Sequence, residues 1–93
     1  MNDDPLIEQL REQIADLDRS IVEAVNARLR LVAELKRHKE SRGLDFHDPE
    51  RERWLLQYLQ RANAGPLSDG GVKELLDAVL GLTKREVARG DGH

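Results

Sequence analysis

No cysteine occurs among the 93 residues. A disulfide framework and a thiolate metal site are therefore excluded. His38, His47 and His93 are scattered, without the spacing of a zinc site, so no metal is expected. Only Phe46, Trp54 and Tyr58 are aromatic, 3% of the chain, and hydrophobic residues reach 39%. A chain this short and this poor in large side chains is not expected to build a large core of its own. No apolar run approaches the roughly 20 residues of a membrane span. The opening "MNDDPLIEQL" lacks the basic start and apolar centre of a secretory signal, so a cytoplasmic, membrane-free protein is expected. A net charge of −3 gives no general drive toward nucleic acid.

What is present is charge and helix-forming residues. Charged side chains make up 35%, with Leu, Ala, Glu and Arg abundant, which points to long helices. The length fits a single domain over 1–93. From Pro5 to about Arg42 there is no Gly or Pro after the first turn. Asp3 or Asp4 is placed to cap this segment and Gly43 to close it. Apolar residues at Ile7, Leu10, Ile14, Leu17, Ile21, Ala24, Leu31 and Leu35 mark one helical face. Val22, Val25, Leu29 and Val32 widen it. A second helix is expected from Asp48-Pro49 to "NAGP" (63–66), and a third from Ser68 or Asp69 until it frays in "RGDGH".

The fold class is thus all-α, a three-helix protomer with a long first helix. About 37 helical residues span roughly 55 Å, whereas a compact chain of this length has a radius of gyration of about 12 Å. Two shorter helices cannot cover such a stripe. An intertwined homodimer is the expected remedy.

Several charges interrupt these faces. Arg28 falls within the apolar series 21, 24, 28, 31, 35. A guanidinium there is costly unless something pairs with it. Lys39 lies 11 residues on, within about 20° of the same face. Arg11 lies 17 residues before Arg28 and is turned about 100° away, so it is better placed to serve a partner's site. In the second helix, the stripe Leu55, Leu59, Ala62 extrapolates back to Arg51, with Glu52 beside it and Asp48 one turn earlier. Thr83 continues the Val72, Leu76, Val79 face of the third. Taken singly, each of these has an ordinary structural explanation. Together they describe a cationic pocket for a small dianion. No nucleophile–base pair, Gly-rich phosphate loop or metal cluster accompanies it, so the pocket can bind, or catalyse by positioning and electrostatic stabilisation.

The segments "LREQIADLD" (10–18), "ARLRLVAELKRHK" (27–39) and "HDPERERWLL" (47–56) resemble the all-helical class of chorismate mutases. The resemblance covers nearly the whole chain and weakens after residue 65. It implies a dimer of three-helix protomers with shared sites that rearranges chorismate to prephenate, with no cofactor and no metal. It further implies that Arg11 crosses the dimer to bind a substrate carboxylate and that Arg28 binds a carboxylate from within the protomer. Lys39 would donate to the ether oxygen and Arg51 would line the pocket. Glu52 would accept from the ring hydroxyl, with Asp48 beside it.

The third helix departs from the family pattern. Thr83 fits its Ser/Thr position, but Val87 stands where Gln or Glu supplies a second donor to the ether oxygen. Glu86 is adjacent, about 100° around the helix. Other readings therefore stay open beside the leading one. They are a mutase for 4-amino-4-deoxychorismate, an isochorismate–pyruvate lyase, and a weak mutase activated by a partner enzyme of the shikimate pathway.

Overall fold

The computed structural model describes residues 4–91, which form α1 (Pro5–Ser41), α2 (Pro49–Ala62) and α3 (Asp69–Asp91). His93 and Asp3 lie outside the described residues. No strand occurs among those described, and no helix there is long and apolar enough to cross a membrane.

Each helix starts on a side-chain cap. Asp4 Oδ1 accepts from the Leu6 N–H at 2.9 Å, with Pro5 in the first turn, where its missing N–H costs nothing. Asp48 Oδ1 accepts from the Arg51 N–H at 3.1 Å, ahead of Pro49. Ser68 Oγ accepts from the Gly71 N–H at 3.0 Å. At the other end of α1, Gly43 takes φ +69°, a left-handed conformation that a side chain disfavours. α3 runs through Arg89 and Gly90 to Asp91, inside the segment where the sequence expects it to fray.

α3 is the centre of the protomer. It packs against both α1 and α2, while the Cα atoms of α1 and α2 stay more than 8 Å from each other among the described residues. The buried side chains are Val72, Leu76, Thr83 and Val87, all on one face of α3. α1 has no buried residue. Its C-terminal half is half-buried at Val25, Arg28, Leu29, Val32, Lys36 and Lys39, the side that meets α3. The principal apolar stripe lies on a neighbouring side and is uncovered: Leu10 is 48% exposed, Ile14 57%, Leu17 64% and Ile21 59%. Leu31 and Leu35 continue it, also exposed. α1 thus carries two apolar faces, and the weaker one in the sequence is used inside the chain.

The shape follows from this. The protomer measures 60 × 34 × 15 Å with a radius of gyration of 17.4 Å, against about 12 Å for a compact chain. Its accessible surface is 7638 Å², some 2,000 Å² more than the roughly 5,500 Å² of a compact monomer of this mass.

Candidate active site

A cavity of about 250 Å³ lies where the C-terminal half of α1, the start of α2 and the middle of α3 meet. α1 contributes Arg28 and Lys39, one above the other, as their three-turn spacing requires. The first turn of α2 contributes Asp48, Arg51 and Glu52. α3 contributes Thr83 and Lys84. Val32, Leu35, Phe46 and Leu80 form apolar walls between these groups.

Arg28 is fixed from α3. Its Nη1 donates to Thr83 Oγ1 at 2.7 Å, and that hydroxyl donates onward to the Val79 carbonyl at 2.7 Å. Thr83 is buried, so its hydroxyl needs both partners, and the chain of bonds holds one edge of the guanidinium in place. Among the described residues Arg28 has no carboxylate partner, and neither has Lys39. Both are half-buried, in a cleft where a cation without a counter-charge is unfavourable.

Arg51 differs from its sequence expectation. The stripe on α2 places it on the packed side, but it is exposed, at the rim of the cavity. The reason is a local partner. Its guanidinium lies over the Trp54 ring, 3.9 Å from the centroid, and Trp54 stacks on Tyr58 at 5.1 Å. Residues three apart on a helix are neighbours, so this contact forms without help from the rest of the fold. Arg51 too lacks a carboxylate partner among the described residues.

Both acids are occupied. Asp48 caps α2, which ties the carboxylate to the first turn and aims the two residues that follow. Glu52 Oε1 lies 3.6 Å from Lys84 Nζ, an ion pair that joins α2 to α3 across the cavity.

Two residues expected at the site lie outside this cavity. Val87 is 8% exposed and belongs to the core of α3 rather than to the cavity wall. Glu86, its neighbour, pairs with Arg89. Arg11 is distant within its own chain, about 26 Å from Arg28 along the helix axis, with its side chain 66% exposed and paired to Glu8 at 3.4 Å. Conversely, Phe46, His47 and Lys84 line the cavity without having been singled out in the sequence. Lys84 is turned about 100° from Thr83, but it lies one turn beyond Leu80, another wall residue, and so only about 40° from it around the helix.

The site is therefore a cleft with apolar walls, three cations without carboxylate partners among the described residues, and two acids held in place. No cluster of His, Asp or Glu suited to a metal occurs among the described residues. Such a cleft can bind a compact molecule carrying two negative charges and hold it in one conformation.

Comparison with known proteins agrees with this geometry. The chain is 31% identical over 85 residues to the bifunctional chorismate mutase/prephenate dehydratase of Pseudomonas aeruginosa. It is 28% identical over 85 residues to that of Stutzerimonas stutzeri. Each match covers 86% of this chain, which spans 23% of the length of each of these relatives. Among solved structures, form I of the chorismate mutase from Thermus thermophilus superposes with a TM-score of 0.80 at 32% identity, covering 83% of this chain and 96% of that one. Form II gives a TM-score of 0.83 at 31% identity, covering 89% and 94%. Residues 10–87, which hold most of α1 and of α3 together with the whole cavity, match the family described as chorismate mutase type II, and the chain belongs to that family.

Proposed function

We propose that the protein rearranges chorismate to prephenate in this cavity. The observation that carries the reading is the set of three cations, Arg28, Lys39 and Arg51, that line one cleft without carboxylate partners among the described residues. They supply the counter-charge that a dicarboxylate requires. The reaction is internal to the substrate: the ether C–O bond breaks as a C–C bond forms, and no proton donor, nucleophile or co-reactant takes part. What remains for the protein is restraint and charge. Arg28, braced by Thr83, holds one carboxylate so that the enolpyruvyl chain folds over the ring in a near-attack geometry. Lys39 stabilises the negative charge that grows on the ether oxygen, an interaction larger in the transition state than in the ground state. Glu52 accepts from the ring hydroxyl, Arg51 guards the rim, and Asp48 aims both.

A second copy of the chain completes the site in this reading. The uncovered face of α1, Leu10 through Ile21, packs against its counterpart in the partner. Arg11, exposed on its own chain, enters the partner's cavity to bind the second carboxylate.

The direct test is incubation of purified protein with chorismate, 4-amino-4-deoxychorismate and isochorismate separately, with the products identified. Prephenate from chorismate is the expected result. Pyruvate released from isochorismate with chorismate untouched would make the protein a lyase, and turnover of the amino compound alone would move it to another pathway. Turnover of none of the three would refute a stand-alone enzyme.

A further inference from the structure

α3 presents two polar side chains to the cavity, Thr83 and Lys84, and the Lys84 ammonium lies 3.6 Å from Glu52, itself a wall residue. The hydroxyl proton is committed to the Val79 carbonyl and the oxygen to Arg28. Val87, one turn on, is apolar and lies in the core. Any charged donor that α3 gives to a bound molecule must therefore come from Lys84. We propose that Lys84 is a further substrate-binding residue, a fourth cation of the cavity whose ammonium contacts the bound dianion directly.

Its pairing with Glu52 suits that role. At 3.6 Å the contact is loose, and the side chains are 57% and 34% exposed. Exposed pairs of this kind contribute little to stability, so the ammonium is not locked to the carboxylate. A lysine has three donors on a flexible stem, enough to keep one on Glu52 while turning another to an anion in the cleft. The charge balance runs the same way. Arg28, Lys39, Arg51 and Lys84 against Asp48 and Glu52 leave two positive charges in the cleft of one protomer. Without Lys84 a single one remains. The pair also explains how Glu52 coexists with a dianion, since Lys84 offsets a carboxylate that would otherwise repel it.

The inference rests on the reading that the cavity binds a dicarboxylate, and the test separates the two. Binding of cis-cyclohexane-1,3-dicarboxylate, which cannot rearrange, is measured by calorimetry on the wild-type chain, Arg28→Ala, Lys84→Met, Lys84→Arg, Glu52→Gln and the double variant Lys84→Met/Glu52→Gln. Steady-state kinetics on chorismate run in parallel, and far-UV circular dichroism checks that each variant is folded. Lys84→Met is expected to weaken binding about tenfold, in line with loss of a charged hydrogen bond. The loss should be of similar size in the Glu52→Gln background, with Lys84→Arg retaining most of the affinity. A loss that vanishes once Glu52 is neutral would mean that Lys84 acts only through Glu52, and would overturn direct contact. Binding that depends on Arg28 but not on Lys84 would overturn the inference alone. No binding to the wild-type chain would overturn the dicarboxylate reading and the inference with it.

Discussion

If Arg51 binds the substrate as proposed, its side chain is prepared for that before any ligand arrives. An arginine on an exposed first turn samples many rotamers, and ordering them on binding opposes affinity. The Trp54 ring removes part of that freedom by holding the guanidinium at 3.9 Å, and Tyr58 stacks on the ring at 5.1 Å. An exposed cation–π contact is worth about 0.5–1 kcal/mol. Trp54→Leu is thus expected to raise KM for chorismate about two- to fivefold with little change in kcat, and Trp54→Phe to recover most of the loss. Unchanged steady-state constants in Trp54→Leu would show that the stack does not prepare Arg51. At this scale the sequence is legible wherever a charge interrupts an apolar series. Arg28 and Lys39 stand out for that reason, and both reach the cavity. Lys84 does not stand out, because its charge falls beside the Thr83 series, although Leu80 one turn earlier shares its side of α3. Arg51 is half legible, since periodicity finds its helix face but not the ring three residues later that draws it to the rim. Val87 reads as a missing donor, yet within the chain it is simply part of the core of α3.

Among the elements, α2 depends most on its first residue. It is the shortest helix, 14 residues with none buried, so packing contributes little and the cap contributes proportionately more. Asp48→Ala removes the acceptor for the Arg51 N–H and is expected to lower stability by about 1 kcal/mol. A urea titration followed by circular dichroism measures this. Chorismate turnover should fall as well, because Arg51 and Glu52 are aimed by the turn that Asp48 begins. Asp48→Asn, which keeps a capping oxygen, should restore the stability. A wild-type midpoint in Asp48→Ala would show that the cap is dispensable. The starts of all three helices are readable from Asp or Ser with Pro or Gly nearby, because capping is local chemistry. The end of α3 falls within the Gly- and polar-rich run that the sequence marks, where Ala88, Arg89 and Gly90 are already exposed. Which face of α1 meets α3 is hidden. Two apolar faces lie side by side on that helix, and periodicity cannot say which is taken within the chain.

For the whole molecule, the surplus surface is the dominant fact. The first half of α1 has almost no contact with the rest of its chain, and an isolated helix of about 20 residues is marginal in water. Its Leu and Ile side chains become stabilising only when covered, by up to about 1.5–3 kcal/mol each when burial is complete. Leu17→Asp, at the most exposed point of the stripe between Leu10 and Ile21, is expected to convert a dimer to a monomer in sedimentation experiments and to lower helicity. Turnover should be lost with the dimer, although no residue of the cavity has changed. A Leu17→Asp protein that stays dimeric and active would place the interface elsewhere.

Complementation between two variant chains reads out whether one site is built from both chains of a dimer. Arg11→Ala and Arg28→Ala chains, each inactive alone, are unfolded together, refolded as a mixture and assayed on chorismate. If Arg11 of one chain completes the cavity that holds Arg28 of the other, about half of the dimers are mixed and each has one intact site. Activity should then return to about a quarter of wild type. If both arginines serve the cavity of their own chain, no dimer in the mixture holds an intact site, and the absence of any recovery would contradict the account.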